Sequence, residues 1–277
     1  MDPRITRWAH TLVNYCLEVQ PGQHVLIVAT PAAKPLVAAV YRETLRAGAH
    51  PIPRVELLEL VEIRLKEGSD AQLDWVDPAL KFLMEQVDAR LYIESELNTR
   101  LLAGVDPKRQ ALAARAGRAI REITNRRSLA GDLHWCLTLW PTEAYAQDAD
   151  MSLADFEEFV YEACFLNSSD PAERWRELGR AQQFYVDYLA GKRAVHVVGP
   201  DTDLRLSITG RTFRNSDGKR NFPSGEFFTS PVEDSAEGHI RFTIPSAVDG
   251  RLVRDVRLRF ERGQVVEAHA EVGDDYL

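Results

Sequence analysis

The sequence lacks the features that mark secreted and membrane-spanning proteins. Its 277 residues contain only three cysteines, Cys16, Cys136 and Cys164, which are far apart and form no C-x-x-C pair. An odd number of widely spaced cysteines fits free thiols in a reducing compartment. No apolar run approaches the roughly 20 residues needed to span a bilayer, and an amphipathic stretch rather than an apolar signal core follows Met1. We therefore expect a cytoplasmic protein without a membrane partner.

The sequence also lacks the loops that bind nucleotides. The segment after the first predicted strand, 29–35, contains no glycine, and neither a G-x-x-x-x-G-K-[ST] loop nor a G-x-S-x-G elbow occurs anywhere. A net charge of −8, from 34 basic and 42 acidic side chains, opposes binding to nucleic acid. A helix predicted over 108–127 is strongly basic but has no aromatic residue to stack on bases, which argues against nucleic acid. We interpret it as a solvated face; a subunit contact and the attraction of a peptide carboxylate are the alternatives.

The first half of the chain alternates short apolar runs with helical spacing. Segments 25–29, 51–56 and 89–94 are typical of buried strands, and 34–47 and 70–87 are typical of helices. A strand–helix–strand succession predicts parallel pairing with right-handed crossovers. The fold class predicted for this half is α/β, with a Rossmann-like, doubly wound N-terminal domain. Its expected role is that of a scaffold.

The second half changes to an alternation of apolar and polar residues with a period of two. Examples of the apolar positions are Leu204, Leu206 and Ile208, then Ile240, Phe242 and Ile244, then Val256, Leu258 and Phe260. This pattern predicts half-buried strands, with a hairpin turn at 261–264. We place a domain boundary near Gly191. The prediction is an α/β scaffold domain over 1–190 and, over 191–277, the β-rich and incomplete first part of a catalytic domain.

The histidines offer little support for a metal site. The sequence has no H-E-x-x-H motif. Glu267, His269 and Glu271 would share one face of a strand, which is a geometry that a metal ion could use. The apolar residues between them would form a core face, so we favour the interpretation that this trio is the solvent side of the strand.

One loop presents a carboxylate in a way that suits metal binding or general-base catalysis. Residues 214–231 are rich in turn signals, and they bring Glu226 to the start of a bulky strand. Pro223 restricts the approach to that strand, and Gly225 has no side chain to obstruct the front of the backbone. A carboxylate presented in this way suits a metal ligand or a general base. An ordinary surface loop is the alternative.

The same loop resembles a motif of a known family. The string N-F-P-S-G-E-F-F-T-S-P, Asn221 to Pro231, resembles the N-x-P-x-G-E-x-F-x-x-P segment of the metal-dependent aminopeptidases of the thermophilic aminopeptidase T and S type, peptidase family M29. The segment 140–144, Asp170-Pro171 with Trp175, and 232–235 also match that family. The resemblance extends over the whole chain.

The resemblance implies a metalloaminopeptidase that releases N-terminal residues from peptides. It implies two divalent ions of the zinc or cobalt type in the complete protein, with Glu226 as a metal ligand and Asn221 and Ser224 as groups that could support it. It also implies peptide substrates and a homodimer. The other ligands and the catalytic residues of the family are expected beyond Leu277, so we expect a truncated, inactive chain that holds no metal tightly. The alternative is a non-catalytic binding protein that keeps the scaffold without the metal site.

Overall fold

Strands and helices alternate through the first half of the chain, and strands dominate the second. A computed structural model describes residues 2–248 and 251–277. The strands are β1 (His24–Ala29), β2 (His50–Val55), β3 (Ala89–Glu94), β4 (His134–Leu139), β5 (Ala194–Gly199), β6 (Thr202–Ser207), β7 (Arg214–Ser216), β8 (Asn221–Phe222), β9 (Glu226–Phe228), β10 (Glu237–Phe242), β11 (Ser246–Val248), β12 (Arg251–Glu261) and β13 (Gln264–Val272). Within the described residues, the strand prediction for the first half missed β4.

The α-helices of the described residues all lie before residue 190. They are α1 (Pro3–His10), α2 (Lys34–Arg46), α3 (Leu58–Glu67), α4 (Asp70–Leu73), α5 (Pro78–Gln86), α6 (Pro107–Ala116), α7 (Arg118–Ala130), α8 (Glu143–Asp148), α9 (Leu153–Ala163) and α10 (Pro171–Leu189). A π-helical turn follows α1 at Thr11–Cys16, and short 3-10 helices occur at Pro31–Ala33 and Asp274–Tyr276. No helix among the described residues is both long and apolar enough to cross a membrane.

Two segments predicted as single helices are each divided in the structure. The 70–87 segment forms α4 and α5, because Pro78 lacks an N–H and must begin a new helix, which the side chain of Asp77 caps. The basic 108–127 segment forms α6 and α7, which meet at Gly117. Glycine is a poor helix former, so a break at this position costs little.

Five parallel strands form the first sheet, in the order β2-β1-β3-β4-β8. Successive residues of a strand point to opposite faces, and both faces of β1 are covered. Val25 and Ile27 pack into the larger core with residues of α1, α2 and α9. Leu26 and Val28 pack into a smaller core with residues of α5 and α7. Helices on both faces of a parallel sheet confirm the predicted doubly wound α/β fold.

The second sheet is antiparallel and confirms the predicted period-two pattern. Its order is β11-β12-β10-β6-β5, with β13 also paired to β12. The predicted hairpin joins β12 to β13 through Arg262 and Gly263, whose φ angles are +47° and +78°. Two consecutive positive φ angles are the signature of a tight hairpin turn. A separate two-stranded ladder pairs β7 with β9.

The chain divides into two compact units, and each unit contains two separate stretches of sequence. The first unit comprises Met1–Leu178 and Asp217–Gly225, and the second comprises Gly179–Ser216 and Glu226–Leu277. The short return to the first unit adds β8 to the edge of the parallel sheet. A domain boundary near Gly191 stays a prediction, because a unit defined by contacts is not always a domain that folds alone.

Candidate functional site

Glu226 is the first residue of β9, directly after the chain leaves the first unit. Its backbone pairs with Ser216 of β7 in an antiparallel ladder of three residue pairs. Its side chain is exposed, and among the described residues it has neither a hydrogen bond nor an ion pair. The structure therefore holds the backbone of this glutamate in a ladder and leaves its carboxylate available.

A buried glutamine fixes that ladder to α10. The side chain of Gln182 is only 5% exposed, and its Nε2 lies 2.9 Å from the Glu226 carbonyl oxygen, 3.2 Å from that of Ser216 and 2.7 Å from Asn215 Oδ1. Asn215 in turn donates from Nδ2 to the Gly179 carbonyl oxygen at 2.7 Å. These hydrogen bonds restrict the local backbone, although Gln182 Oε1 is itself buried without a partner among the described residues. Gln182 is thus the main group that positions Glu226.

Phe222 anchors the loop before Glu226 in the first unit. This residue is 1% exposed, and its ring lies 5.5 Å from that of Trp175. Its carbonyl oxygen accepts a hydrogen bond from Thr138 Oγ1 at 2.6 Å, beside the β4–β8 pairing. Burial of a phenylalanine side chain stabilises a fold by about 1.5–3 kcal/mol. The Phe222–Pro223 peptide bond is cis.

Two contacts near the N-terminal part of the chain fix the start of the same loop. Tyr15 donates from its hydroxyl to the Asp217 carbonyl oxygen at 2.9 Å, and burial raises the pKa of that hydroxyl, which keeps it protonated as a donor. Lys219 forms a 2.8 Å ion pair with Glu18. The loop is therefore held at its beginning as well as at Phe222.

Aromatic packing holds β9 beyond Glu226. Within the second unit the ring of Phe227 stacks on that of Tyr185, with centroids 5.7 Å apart and planes 10° apart. The centroid of the Phe213 ring lies 6.5 Å from that of the Phe227 ring. Since alternate strand residues point to opposite faces, Phe227 packs while the side chain of Glu226 points away from that packing.

The other predicted site residues have less distinct environments. Asn221 is exposed in β8, and Ser224 is half-buried and has an interaction partner. Their role in supporting a metal ligand stays a prediction. Among the residues that the structure describes, no three His, Cys, Asp or Glu side chains converge as a metal-binding group. Glu226 thus fits one ligand of a metal centre, and the described residues do not by themselves complete a two-metal site.

The trio on β13 makes three separate contacts, two of which are ion pairs. Glu267 pairs with Arg259 at 2.7 Å, and Glu271 pairs with Arg254 at 3.1 Å. His269 Nδ1 lies 2.8 Å from a carboxylate oxygen of Asp274. The three side chains are therefore used individually, as the solvent-side interpretation predicts. The expected core face between them is only partly formed, because Ala270 is buried whereas Val266 and Ala268 are exposed.

Sequence reasoning missed the residues that position Glu226. Gln182 lies on an amphipathic helix, 44 residues before the glutamate, and no local pattern distinguishes it from a solvated glutamine. Thr138 belongs to β4, the strand that was not predicted. Trp175 and Phe222 carried a signal only as part of the resemblance to the family motif.

A doubly wound α/β unit and an antiparallel β unit in one chain also form the fold of a solved structure. The structure of wild-type AmpT from Thermus thermophilus superposes with a TM-score of 0.85 at 25% identity, covering 99% of this chain and 73% of that one. The chain belongs to the thermophilic metalloprotease family M29, which matches residues 1–277. The fold and the family thus agree with the resemblance found in the sequence.

Curated relatives of the chain are named as aminopeptidases. Aminopeptidase 2 of Geobacillus stearothermophilus is 29% identical over 313 residues, which cover 100% of this chain and 72% of that protein. Aminopeptidase T of Thermus thermophilus is 26% identical over 299 residues, covering 99% of this chain and 72% of its own length. The family is therefore one of metal-dependent peptidase enzymes.

Proposed function

We propose that this chain provides the scaffold and one metal ligand of an aminopeptidase that releases N-terminal residues from peptides by two-metal hydrolysis. The single observation that carries the proposal is the geometry of Glu226. Its backbone is fixed by Gln182 and by the β7–β9 ladder, while its carboxylate is exposed and without a partner among the described residues. Membership of a metal-dependent peptidase family supports the same function.

The proposed role of Glu226 is to supply carboxylate oxygen to a divalent ion. Two ions of the zinc or cobalt type, when bound, would activate a water molecule and polarise the scissile carbonyl. The described residues contribute to this role by holding the backbone of Glu226 in place. Phe222 before the glutamate and Phe227 after it are both packed, so the backbone that carries the carboxylate does not have to be ordered when the ion binds.

The described residues alone offer an incomplete coordination shell, because a single carboxylate does not hold two divalent ions. We therefore expect the 277-residue chain to bind Zn²⁺ or Co²⁺ weakly and to release no amino acid from peptides. Elemental analysis of the desalted chain measures how much metal stays bound. Stoichiometric metal in that sample would contradict it.

The test of the proposal uses the open reading frame that contains these 277 residues, expressed whole. Hydrolysis of leucine p-nitroanilide is measured with added Zn²⁺ or Co²⁺ for the parent protein and for Glu226→Gln. The substitution keeps the side-chain shape and removes the charge. We expect kcat/KM to fall by about 100-fold or more, because loss of a ligand weakens metal binding directly.

Glu233→Gln is the matched control, since Glu233 is an exposed carboxylate in the same stretch whose partner is Arg211. It should leave activity within about twofold of the parent, because surface ion pairs contribute little. Full activity of Glu226→Gln would reject the ligand role. Absence of activity and of metal binding in the parent protein would favour the alternative, a binding protein that keeps the scaffold without the metal site.

Peptides are the expected partners of such an enzyme. We also propose a homodimer, which rests on the family resemblance alone. Analytical ultracentrifugation of the whole reading frame measures the mass in solution, and a monomer at micromolar concentration would reject this part of the proposal.

A further inference from the structure

A cavity of about 280 Å³ lies at the carboxyl edge of the parallel sheet in the first unit. Thr30, Glu56 and Ser95, which directly follow β1, β2 and β3, all line it. In open α/β sheets, ligands bind outside the carboxyl ends of the strands, where the strand order reverses. The order β2-β1-β3 puts that reversal between β1 and β3, so the cavity occupies the ligand position of this fold.

The cavity is not built for phosphate, the usual ligand at this position. Thr30 donates its backbone N–H to Ser95 Oγ at 3.2 Å, and the N–H of Ala32 donates to Thr30 Oγ1 at 3.3 Å. Pro31 and Pro35 have no N–H to donate. A phosphate cradle requires free backbone donors at the start of the helix, and in this turn they are absent or already used.

The charge of the cavity is negative. Glu56 and Glu59 line it and carry that charge. Glu94 and Glu96, the sequence neighbours of Ser95, add less, because burial raises the pKa of both carboxyl groups and favours their neutral form. Arg54 approaches Glu56 to 3.3 Å and offsets part of that charge. In the part of the chain that the structure describes, Glu59 has no ion pair. This edge of the sheet therefore attracts a cation and repels an anion.

The rest of the wall is aliphatic. Leu57, Leu58, Leu97 and Leu101 contribute to it, and the side chains of Leu57 and Leu97 are 50% and 72% exposed. Contact with a ligand would remove that apolar surface from water, which is favourable. A volume slightly below the range of about 300–1,000 Å³ for drug-sized ligands suits a molecule the size of one amino-acid residue.

We infer that this cavity binds a small ligand that carries a primary ammonium group on an aliphatic chain. The ammonium group would lie by Glu59 and Glu56, and the aliphatic chain would lie against the leucines. Such a group occurs at the amino terminus of a peptide and at the end of a lysine side chain. The site consists of residues of the first unit alone, and its occupancy does not require the proposed metal ligand Glu226.

The test records ¹H–¹⁵N correlation spectra of the 277-residue chain in EDTA. The probes are leucinamide, which mimics an amino terminus, and Nα-acetyllysinamide, which mimics a lysine side chain. N-acetylleucinamide is the matched uncharged control. We expect at least one ammonium probe to shift the backbone amides of Thr30, Leu58 and Asn98 in a saturable way, and we expect the control to leave them unchanged. The probe that causes the shifts shows whether the cavity binds an amino terminus or a lysine side chain.

Variants separate this site from the proposed metal ligand. Glu59→Gln should raise the Kd of the active probe about fivefold, as expected for the loss of one partly exposed charge contact. Glu67→Gln is the matched control, because it removes the same charge from the exposed end of the same helix. Glu226→Gln should also leave Kd unchanged.

Four outcomes would overturn the inference. They are no shift with either ammonium probe, equal shifts with N-acetylleucinamide, an unchanged Kd in Glu59→Gln, or loss of binding in Glu226→Gln. A Kd that rises in Glu59→Gln while the spectrum elsewhere keeps its parent positions supports it. Failure of the peptidase assay with Glu226→Gln has no bearing on this result.

Discussion

Replacement of Gly218 by alanine tests whether the loop that leads to Glu226 is anchored as the structure indicates. Gly218 has a φ of +88°, and a Cβ added there would lie 2.9 Å from the Cδ2 and Cε3 atoms of the Trp175 ring. Side chains are disfavoured at that φ, and this costs about 1 kcal/mol relative to glycine. Overpacking against the buried ring adds about 1–3 kcal/mol. The expected loss in free energy of unfolding is therefore about 2–4 kcal/mol in total.

Gly131→Ala isolates the conformational part of that loss. Gly131 belongs to the same unit and has a φ of +84°, and an added Cβ there would meet nothing within 4 Å. We expect Gly131→Ala to cost only about 1 kcal/mol. The assay is urea unfolding followed by far-UV circular dichroism, because fluorescence would respond to the change beside Trp175 itself.

A second background shows whether the ring is the cause. Trp175→Phe removes the fused benzene ring that the new Cβ would meet. Gly218→Ala should then cost about 1–3 kcal/mol less than it does in the parent chain, which gives a coupling free energy for the pair. Equal destabilisation by Gly218→Ala and Gly131→Ala, together with no coupling to Trp175, would refute the proposed packing of the loop.

Three further predictions concern buried or half-buried titratable groups. All three cysteine thiols are buried, and burial raises the pKa of Cys16 and Cys164, so a thiol reagent should label none of them in the native chain and all three in denaturant. Burial raises the pKa of Glu43, but hydrogen bonds, first of all from His10, outweigh it and lower the pKa overall. Glu43→Gln should therefore destabilise the chain at pH 7, and the difference should shrink as the pH falls below about 4.5. Burial raises the pKa of Glu94, so Glu94→Gln should instead stabilise the chain at pH 7 and have no effect near pH 4, as urea unfolding at both pH values can measure.

Much of the fold could be predicted because local patterns and tertiary structure agree. The apolar run at 25–29 is buried on both faces, and the alternation at Ile240, Phe242 and Ile244 belongs to one side of an antiparallel strand as far as β10 extends. The strand β4 was missed because its sequence, His134–Leu139, is only partly apolar and pairs with β3 and β8 through non-local contacts. Such pairing leaves no periodic signal within six residues.

Within the candidate site, the sequence indicated only the carboxylate of Glu226. The position of Glu226 after Pro223 and Gly225 is visible in the sequence. The contact that fixes its backbone comes from Gln182, 44 residues earlier, and a sequence without related sequences to compare does not reveal a pairing over that distance. The free carboxylate could be predicted from chemistry, whereas its positioning depends on tertiary structure.

The segment 29–35 contains no glycine, which argued against a nucleotide-binding role for the first unit, and the structure shows the consequence. Without glycine at 29–35, the turn after β1 adopts a conformation in which Thr30 bonds to Ser95 and uses the donors that a phosphate would need. The same sheet edge gains carboxylates at Glu56 and Glu94. This doubly wound sheet has no anion-binding turn and has acidic residues at its strand ends, so the ligand position of the fold favours a cation instead of an anion. In a peptidase whose substrates bear a free ammonium group, that reversal is chemically consistent.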